Sequence, residues 1–386
     1  MTVFERIAMT DFSSVADDDA EDRMTLLLAD FLACSDFPAT VDVGQGSSHN
    51  VSADAVWRLA LQAGAGDLDD VDWESLHHPG AVIWSAIVGV SRNLGIHGEP
   101  IREAGRCGYA TAATMADLLG PSHRARWHVT ATAGAIGAAA AVSLLLGLEA
   151  ADRQRAMSLA AANVGGLSLA ARDRRGAAAF NRAAASVLGT TAALAAQAGA
   201  AALADPLYDR LGLFEVMDGT GAAEDQRIRR GIPRACPRLF PVTGFLQSAV
   251  QAAARARGEC AGDLVRLRVE LAAGVLPLVS DEDHGPWWSA RLGVLRAWSH
   301  ACPSEAATVC DLDRRFDLVE LGSADLPAGC ANLMAETTEG QYCVQGVEPP
   351  ARSTEGLADL LHRKWSRVLG LNPHEPLTRA RELLDS

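Results

Sequence analysis

The sequence predicts a mainly α-helical protein in which a large all-helical domain carries a smaller inserted α+β lid domain. From about Met24 to Ala204, Ala, Leu and Gly dominate, apolar residues recur at helical spacing and runs of β-branched residues are few. After Pro241, segments appear in which apolar and charged residues alternate, which is typical of half-buried strands. Near the end of the chain helical spacing returns.

The elements follow in order. Small residues dominate 130–148 and 177–204, so two central helices are expected to approach their neighbours closely. Strands are expected at 264–271 and 316–321, and 332–337 and 341–347 should form a hairpin that turns at Gly340. A helix is expected from 357 to 369. The predicted domains are therefore a helical domain at 1–238, an α+β lid domain at 239–347, and a helical tail at 348–386 that returns to the helical domain.

The composition excludes several classes of protein. Of the 386 residues, 49% are hydrophobic and 21% are charged, which argues against a disordered protein. The formal net charge of −14 argues against a nucleic-acid or anionic membrane partner. Lys364 is the one lysine, which argues against Schiff-base, pyridoxal phosphate and phosphate-loop chemistry. The eight cysteines form no Cys-x-x-Cys pair. With no leader or membrane span apparent, a cytoplasmic protein is expected.

Two histidines are candidates for acid and base chemistry. The first, His78, ends an acidic loop that begins at Asp67 and precedes Pro79 and an apolar helix. A histidine held at a helix start by a nearby carboxylate is a common general base, although the loop could equally be a solvated helix cap. The second, His128, precedes a Thr-capped Gly/Ala helix whose positive end would keep the ring neutral, although a purely structural role is also open.

A run of arginines at the domain boundary is a candidate anion site. Guanidinium groups bind carboxylates bidentately, so these residues could receive an acidic substrate, or they could pair with surface acids of this acidic protein. The residues are Arg227, Arg229, Arg230, Arg234 and Arg238.

Taken in order, these motifs resemble the MmgE/PrpD family. The resemblance rests on the acidic loop with His-Pro-Gly-Ala, Gly108-Tyr109, Trp-His-x-Thr with its Gly-Ala-x-Gly-Ala helix, Leu146-Gly-Leu148, the Ala-rich segment from Asn181 and the Arg-Leu-Phe-Pro segment. It covers roughly residues 25 to 260. The family includes 2-methylcitrate dehydratase, cis-aconitate decarboxylase and iminodisuccinate epimerase. The resemblance implies an enzyme without cofactor or metal, usually a homodimer, with a helical domain and a lid around a polycarboxylate site.

Only part of the family's functional set is present. Asp67, His78 and His128 match its aspartate and two histidines, whereas its threonine falls on Val71 and its lysine on or near Ala178. A further histidine falls on Gln247, and the lid tyrosine falls near Arg296. Polar contacts to substrate are expected from Asn181, Arg182, Gln247, Arg238 and Arg296.

The resemblance therefore implies a lyase, a dehydratase or decarboxylase, that transfers a proton next to a carbonyl or carboxyl group. Neutral residues in place of charged ones suggest a less charged small-molecule substrate, such as one from specialised metabolism. An isomerase, epimerase or cyclase on the same scaffold is an alternative. A non-catalytic dimeric binding protein is another, and a metal-dependent hydrolase built on the Asp/His loop is a third.

Overall fold

The computed structural model describes residues 2–14, 17–36, 51–172, 177–220, 227–279, 288–299 and 313–385. The chain forms two compact units, Met1–Ala235 with His374–Ser386 and Cys236–Pro373, which we call unit 1 and unit 2. Most of the described residues are helical, so the prediction of a mainly α fold is confirmed. That unit 2 acts as a lid stays a prediction.

Unit 1 is built from helices. They are α1 (Val3–Met9), α2 (Asp18–Asp36), α3 (Val51–Ala65), α4 (Pro79–Leu94), α5 (Glu99–Arg126), α6 (Val129–Leu145), α7 (Ala150–Ala161), α8 (Ser168–Arg172), α9 (Ala177–Gln197), α10 (Leu213–Val216) and α11 (Gly231–Arg234). A two-residue strand, β1 (Val71–Asp72), lies in the acidic loop, and unit 1 ends within β2 (Ala235–Cys236). At Gly120, where φ is +72°, a break followed by Pro121 divides α5.

Helix α6 occupies the centre of unit 1, between α5 and α9, and nearly all its residues are buried. Small residues make this possible. A methyl group on Gly137 would lie 2.9 Å from the carbonyl oxygen of Gly108 in α5, and one on Gly189 in α9 would lie 2.5 Å from that of Ala135. Because larger side chains would force these backbones apart, the Gly/Ala pattern places the N-terminus of α6 deep in the unit.

Unit 2 contains a four-stranded sheet with helices. After a short 3₁₀ turn at Gly244–Leu246, its elements are α12 (Gln247–Glu259), β3 (Leu264–Ala272), α13 (Leu276–Val279), α14 (Ala290–Ser299), β4 (Val319–Ala324), β5 (Ala331–Thr337), β6 (Gly340–Val347) and α15 (Leu357–Arg367). The strand order is β4-β3-β5-β6, with β3 and β4 parallel and the other pairs antiparallel. Apolar residues from α12, α14 and β3 share one core.

Two details of the sequence prediction differ from the structure. The strand expected at 316–321 is β4, Val319–Ala324, because a 3₁₀ helix at Asp313–Leu318 occupies its predicted start. Of the tail expected to return to the helical domain from 348, only His374–Ser386 belongs to unit 1, where the last helix, α16 (Glu375–Leu384), lies. Helix α15 belongs to unit 2. Its amphipathic spacing predicts that one face is buried but does not determine the partner against which that face packs.

Candidate active site

The acidic loop between α3 and α4 is largely buried. Asp69, Asp70 and Asp72 are all buried, so the interpretation of this loop as a solvated helix cap is wrong for these three residues. Asp67 is partly exposed and has a left-handed backbone, with φ of +52°. Buried carboxylates require hydrogen bonds or cations, and the loop is therefore organised by its partners.

His78 lies at the N-terminus of α4, immediately before Pro79, and its side chain is 18% exposed. Its Nδ1 lies 2.8 Å from the carbonyl oxygen of Asp70, and its backbone N–H donates to the Thr130 hydroxyl at 3.1 Å. A carbonyl oxygen only accepts, so Nδ1 carries the proton and the lone pair of the neutral ring is on Nε2. The neighbouring His77 is fully buried, with Nδ1 2.7 Å from the Ser75 hydroxyl.

The Asp70 side chain holds the start of α4 in place. Its two oxygens accept hydrogen bonds from the backbone N–H of Gly80 at 2.8 Å and from the hydroxyl of Tyr109 at 2.7 Å. Burial raises the pKa of Asp70 to about 7, although both hydrogen bonds favour the ionised form. A methyl group on Gly80 would lie 2.7 Å from Asp70 Oδ1, so a larger residue at this position would displace the Asp70 carboxylate. This role of Tyr109 was not predicted from the sequence, because only the fold brings α5 to the loop.

His128 lies at the N-terminus of α6 and is 6% exposed. Its backbone N–H donates to the carbonyl oxygen of Gly166 at 2.8 Å, and the side-chain amide nitrogen of Asn181 lies 3.1 Å from its Nδ1. Burial, together with the charge of Arg182, lowers the pKa of His128 to about 3. The ring is therefore neutral at ordinary pH, as the helix position alone also favours.

Because the pKa of His128 is lowered, the free energy of unfolding should depend on pH. Below pH 6.5 the ring of the unfolded chain binds a proton that the ring of the folded protein does not. The free energy of unfolding is therefore highest above pH 6.5 and decreases as the pH falls from 6.5 towards 3. We expect His128→Gln to remove about 1 kcal/mol per pH unit of this dependence. Urea unfolding between pH 4.5 and 7.5 measures it, with the exposed His97→Gln as control. Parallel curves for wild type and His128→Gln would contradict the assignment.

Arg182, in α9, ties the acidic loop to the helices. It is buried, donates to the carbonyl oxygen of Gly64 at 2.7 Å, and lies 3.4 Å from Asp67 Oδ1 and 3.5 Å from Asp69 Oδ2. Two carboxylates therefore balance its charge, which leaves it poorly suited to the predicted role of binding a substrate carboxylate. Asp67 pairs with this arginine, and its charge also acts on His128.

The other predicted site residues lie in unit 2. Arg238 is buried, and Arg296 is half-buried in α14, where desolvation lowers the pKa of its guanidinium group. Gln247 is 1% exposed, and within the described residues its amide hydrogen-bonds to backbone groups. Its oxygen accepts from the N–H groups of Leu239 and Phe240, and its nitrogen donates to the carbonyl oxygens of Phe240 and Val242, all at 2.7 to 3.0 Å. These contacts indicate a structural role for Gln247, and its contact with substrate stays a prediction.

We expect Gln247→Glu to destabilise unit 2 by about 3 kcal/mol. The carboxylate keeps the two acceptor contacts but faces the carbonyl oxygens of Phe240 and Val242 without a hydrogen to donate. Urea unfolding measures the change, and Gln251→Glu, in the same helix but less buried, is the matched control. A role in substrate binding would instead raise KM and leave the free energy of unfolding unchanged.

The boundary arginines pair with acids of the protein itself. Arg229 and Arg234 both contact Asp117, at 2.8 and 2.9 Å, and Arg230 pairs with Asp17. Arg234 also lies 2.8 Å from the buried Asp72. The boundary arginines were predicted either to receive an acidic substrate or to pair with acids of the protein. Arg229, Arg230 and Arg234 pair with acids of the protein.

Within the residues that the structure describes, no group of three His, Cys, Asp or Glu side chains is arranged to hold a metal ion. No described helix is both long enough and apolar enough to cross a membrane.

Fold and site together define a mainly helical protein whose candidate site is built around two histidines at helix N-termini. Its two histidines begin neighbouring helices, and Thr130, two residues after His128, accepts the backbone hydrogen bond of His78. The family model of the MmgE/PrpD N-terminal domain matches residues 38–226, which contain the whole of this histidine site, and the chain belongs to the MmgE/PrpD family. Membership indicates a lyase-type enzyme. A search of curated proteins finds no match to this chain.

Proposed function

We propose that the protein is a MmgE/PrpD-type lyase, a dehydratase or decarboxylase, that transfers a proton at a carbon next to a carbonyl or carboxyl group of a small molecule. The observation that carries this proposal is the bond between His78 Nδ1 and the carbonyl oxygen of Asp70. It makes Nε2, on the other side of the ring, the basic atom, in a side chain that is partly exposed.

In dehydration, Nε2 of His78 takes the proton from the carbon next to the carbonyl group. The electron pair of the C–H bond moves towards the carbonyl oxygen, and the enolate-like species then expels a β-hydroxyl group, which takes the proton from protonated His78 and leaves as water. In decarboxylation the C–C bond to the carboxylate breaks, CO₂ leaves, and a protonated His78 donates a proton from Nε2 to the resulting carbanion. His128, kept neutral by burial, is suited to donate a hydrogen bond to the oxygen on which negative charge develops.

The electrostatics favour a substrate with less charge than a polycarboxylate. Asp67 and Asp69 already balance Arg182, and the Asp69 carboxylate also lies 4.0 Å from Nδ1 of His78. Val71 occupies the position of the family's threonine, and Ala178 is at or near the position of its lysine, so this chain has neither that hydroxyl group nor that cation there. A substrate with a single carboxylate or a ketone, such as one from a specialised pathway, would be repelled less than a tricarboxylate.

The test is incorporation of solvent deuterium into a panel of hydroxy acids, keto acids and tricarboxylates, with wild type compared against His128→Ala. We expect incorporation by the wild type that falls sharply in the variant. Incorporation without loss of water or CO₂ would favour the isomerase, epimerase or cyclase alternative. Incorporation by neither protein across the panel would favour the binding-protein alternative and overturn the proposal. Sedimentation of the same sample tests the proposed homodimer.

A further inference from the structure

Asn181 occupies a position that determines where the proton of His128 lies. Its side-chain nitrogen is 3.1 Å from Nδ1 of the ring. An amide NH₂ group only donates, so Nδ1 must accept, and a neutral imidazole that accepts at Nδ1 carries its hydrogen on Nε2. Asn181 was predicted to contact substrate, whereas in the structure its amide nitrogen lies against the ring of His128.

Gly166 lies next to both residues of the contact between Asn181 and His128. Gly166, with φ of +102°, accepts the backbone N–H of His128 through its carbonyl oxygen. A methyl group on Gly166 would lie 3.2 Å from the Asn181 amide nitrogen and 3.0 Å from the Ala131 side chain. The backbone that anchors His128 therefore also packs against the amide that contacts its ring, so the two residues are positioned together.

The ring environments of the two histidines are complementary. His78 donates from Nδ1 to a carbonyl oxygen and offers a lone pair on Nε2, whereas His128 accepts at Nδ1 and offers a hydrogen on Nε2. Arg182, one residue after Asn181, disfavours a second proton on His128. One ring is thus arranged as the base and the other as a neutral donor.

We propose that Asn181 is a positioning residue that holds His128 in the Nε2–H tautomer and so makes it a hydrogen-bond donor to the reacting oxygen instead of a second base. Its role in the reaction rests on the proposed function. The tautomer itself can be measured without any substrate.

The test uses the full chain labelled with ¹⁵N-histidine and long-range ¹H–¹⁵N spectra at pH 7, with the His128 signals assigned by their loss in His128→Gln. We expect the wild type to show the Nε2–H pattern. In Asn181→Asp the carboxylate accepts from Nδ1, so the pattern should change to Nδ1–H or to the imidazolium. In Asn181→Leu both tautomers should appear. The His78 signals, expected in the Nδ1–H pattern, report whether each variant keeps its fold.

An Nδ1–H pattern for His128 in the wild type would overturn the proposal, and this result needs no variant to fold. So would an Asn181→Asp spectrum, with His78 signals intact, in which His128 is unchanged. If the spectra are as expected but no panel compound exchanges deuterium, the proposed function fails while the tautomer assignment stands. Where exchange is found, we expect Asn181→Asp to lower kcat about 10²-fold with KM little changed.

Discussion

His78→Asn is expected to reduce the rate of proton exchange by about 10²–10⁴-fold, the usual contribution of a general base. Asparagine places its amide NH₂ close to where Nδ1 of histidine lies, so it can keep the hydrogen bond to the carbonyl oxygen of Asp70. It has no basic atom in place of Nε2. The variant therefore removes the base while it preserves the contact that orders the loop.

Deuterium exchange and thermal unfolding are measured together for this variant. The matched control is His97→Asn, an exposed histidine in the same unit, which should leave both quantities unchanged. Exchange at the wild-type rate in folded His78→Asn would remove His78 from the role of base. A loss of exchange accompanied by unfolding would instead show that His78 is needed for structure.

Arg234→Met is expected to destabilise unit 1 by about 3–5 kcal/mol. The arginine lies 2.8 Å from Asp72 and 2.9 Å from Asp117, and the Asp72 side chain is only 1% exposed. Methionine fills similar volume but leaves a buried carboxylate without this cation. Because Asp72 also accepts the backbone N–H groups of Glu74 and Ser75, the whole loop before His78 should loosen.

Urea unfolding of unit 1 measures this loss. Arg126→Met is the control, since Arg126 is 72% exposed and pairs with Asp218 at the surface, where a pair is worth about 0–1 kcal/mol. Adding Asp72→Asn to Arg234→Met should recover part of the stability, because an asparagine oxygen can still accept from Glu74 and Ser75 without a charge. Equal losses for the Arg234 and Arg126 variants would contradict the structural role of this network.

Local pattern was sufficient for much of the fold and for the identity of the two histidines. Helical spacing and alternation predict α6, β3 and the β5–β6 hairpin, because each depends on neighbours within a few residues. His78 and His128 stand out because each directly precedes a helix start, which is itself a local signal. The limits of β4 and the membership of α15 were not predicted, since these depend on the partner against which each element packs.

The sequence by itself determined a mainly helical protein with two histidines at helix N-termini and an acidic loop beside one of them. The tertiary structure decided which partners these groups have: the Gln247 amide hydrogen-bonds to backbone groups of unit 2, Arg182 lies against Asp67 and Asp69, and the amide nitrogen of Asn181 contacts Nδ1 of His128. The physical reason is that proton positions and pKa values depend on burial and on partners distant in the chain. Arg182 and Asp67 are 115 residues apart, and Asn181 and His128 are 53 apart.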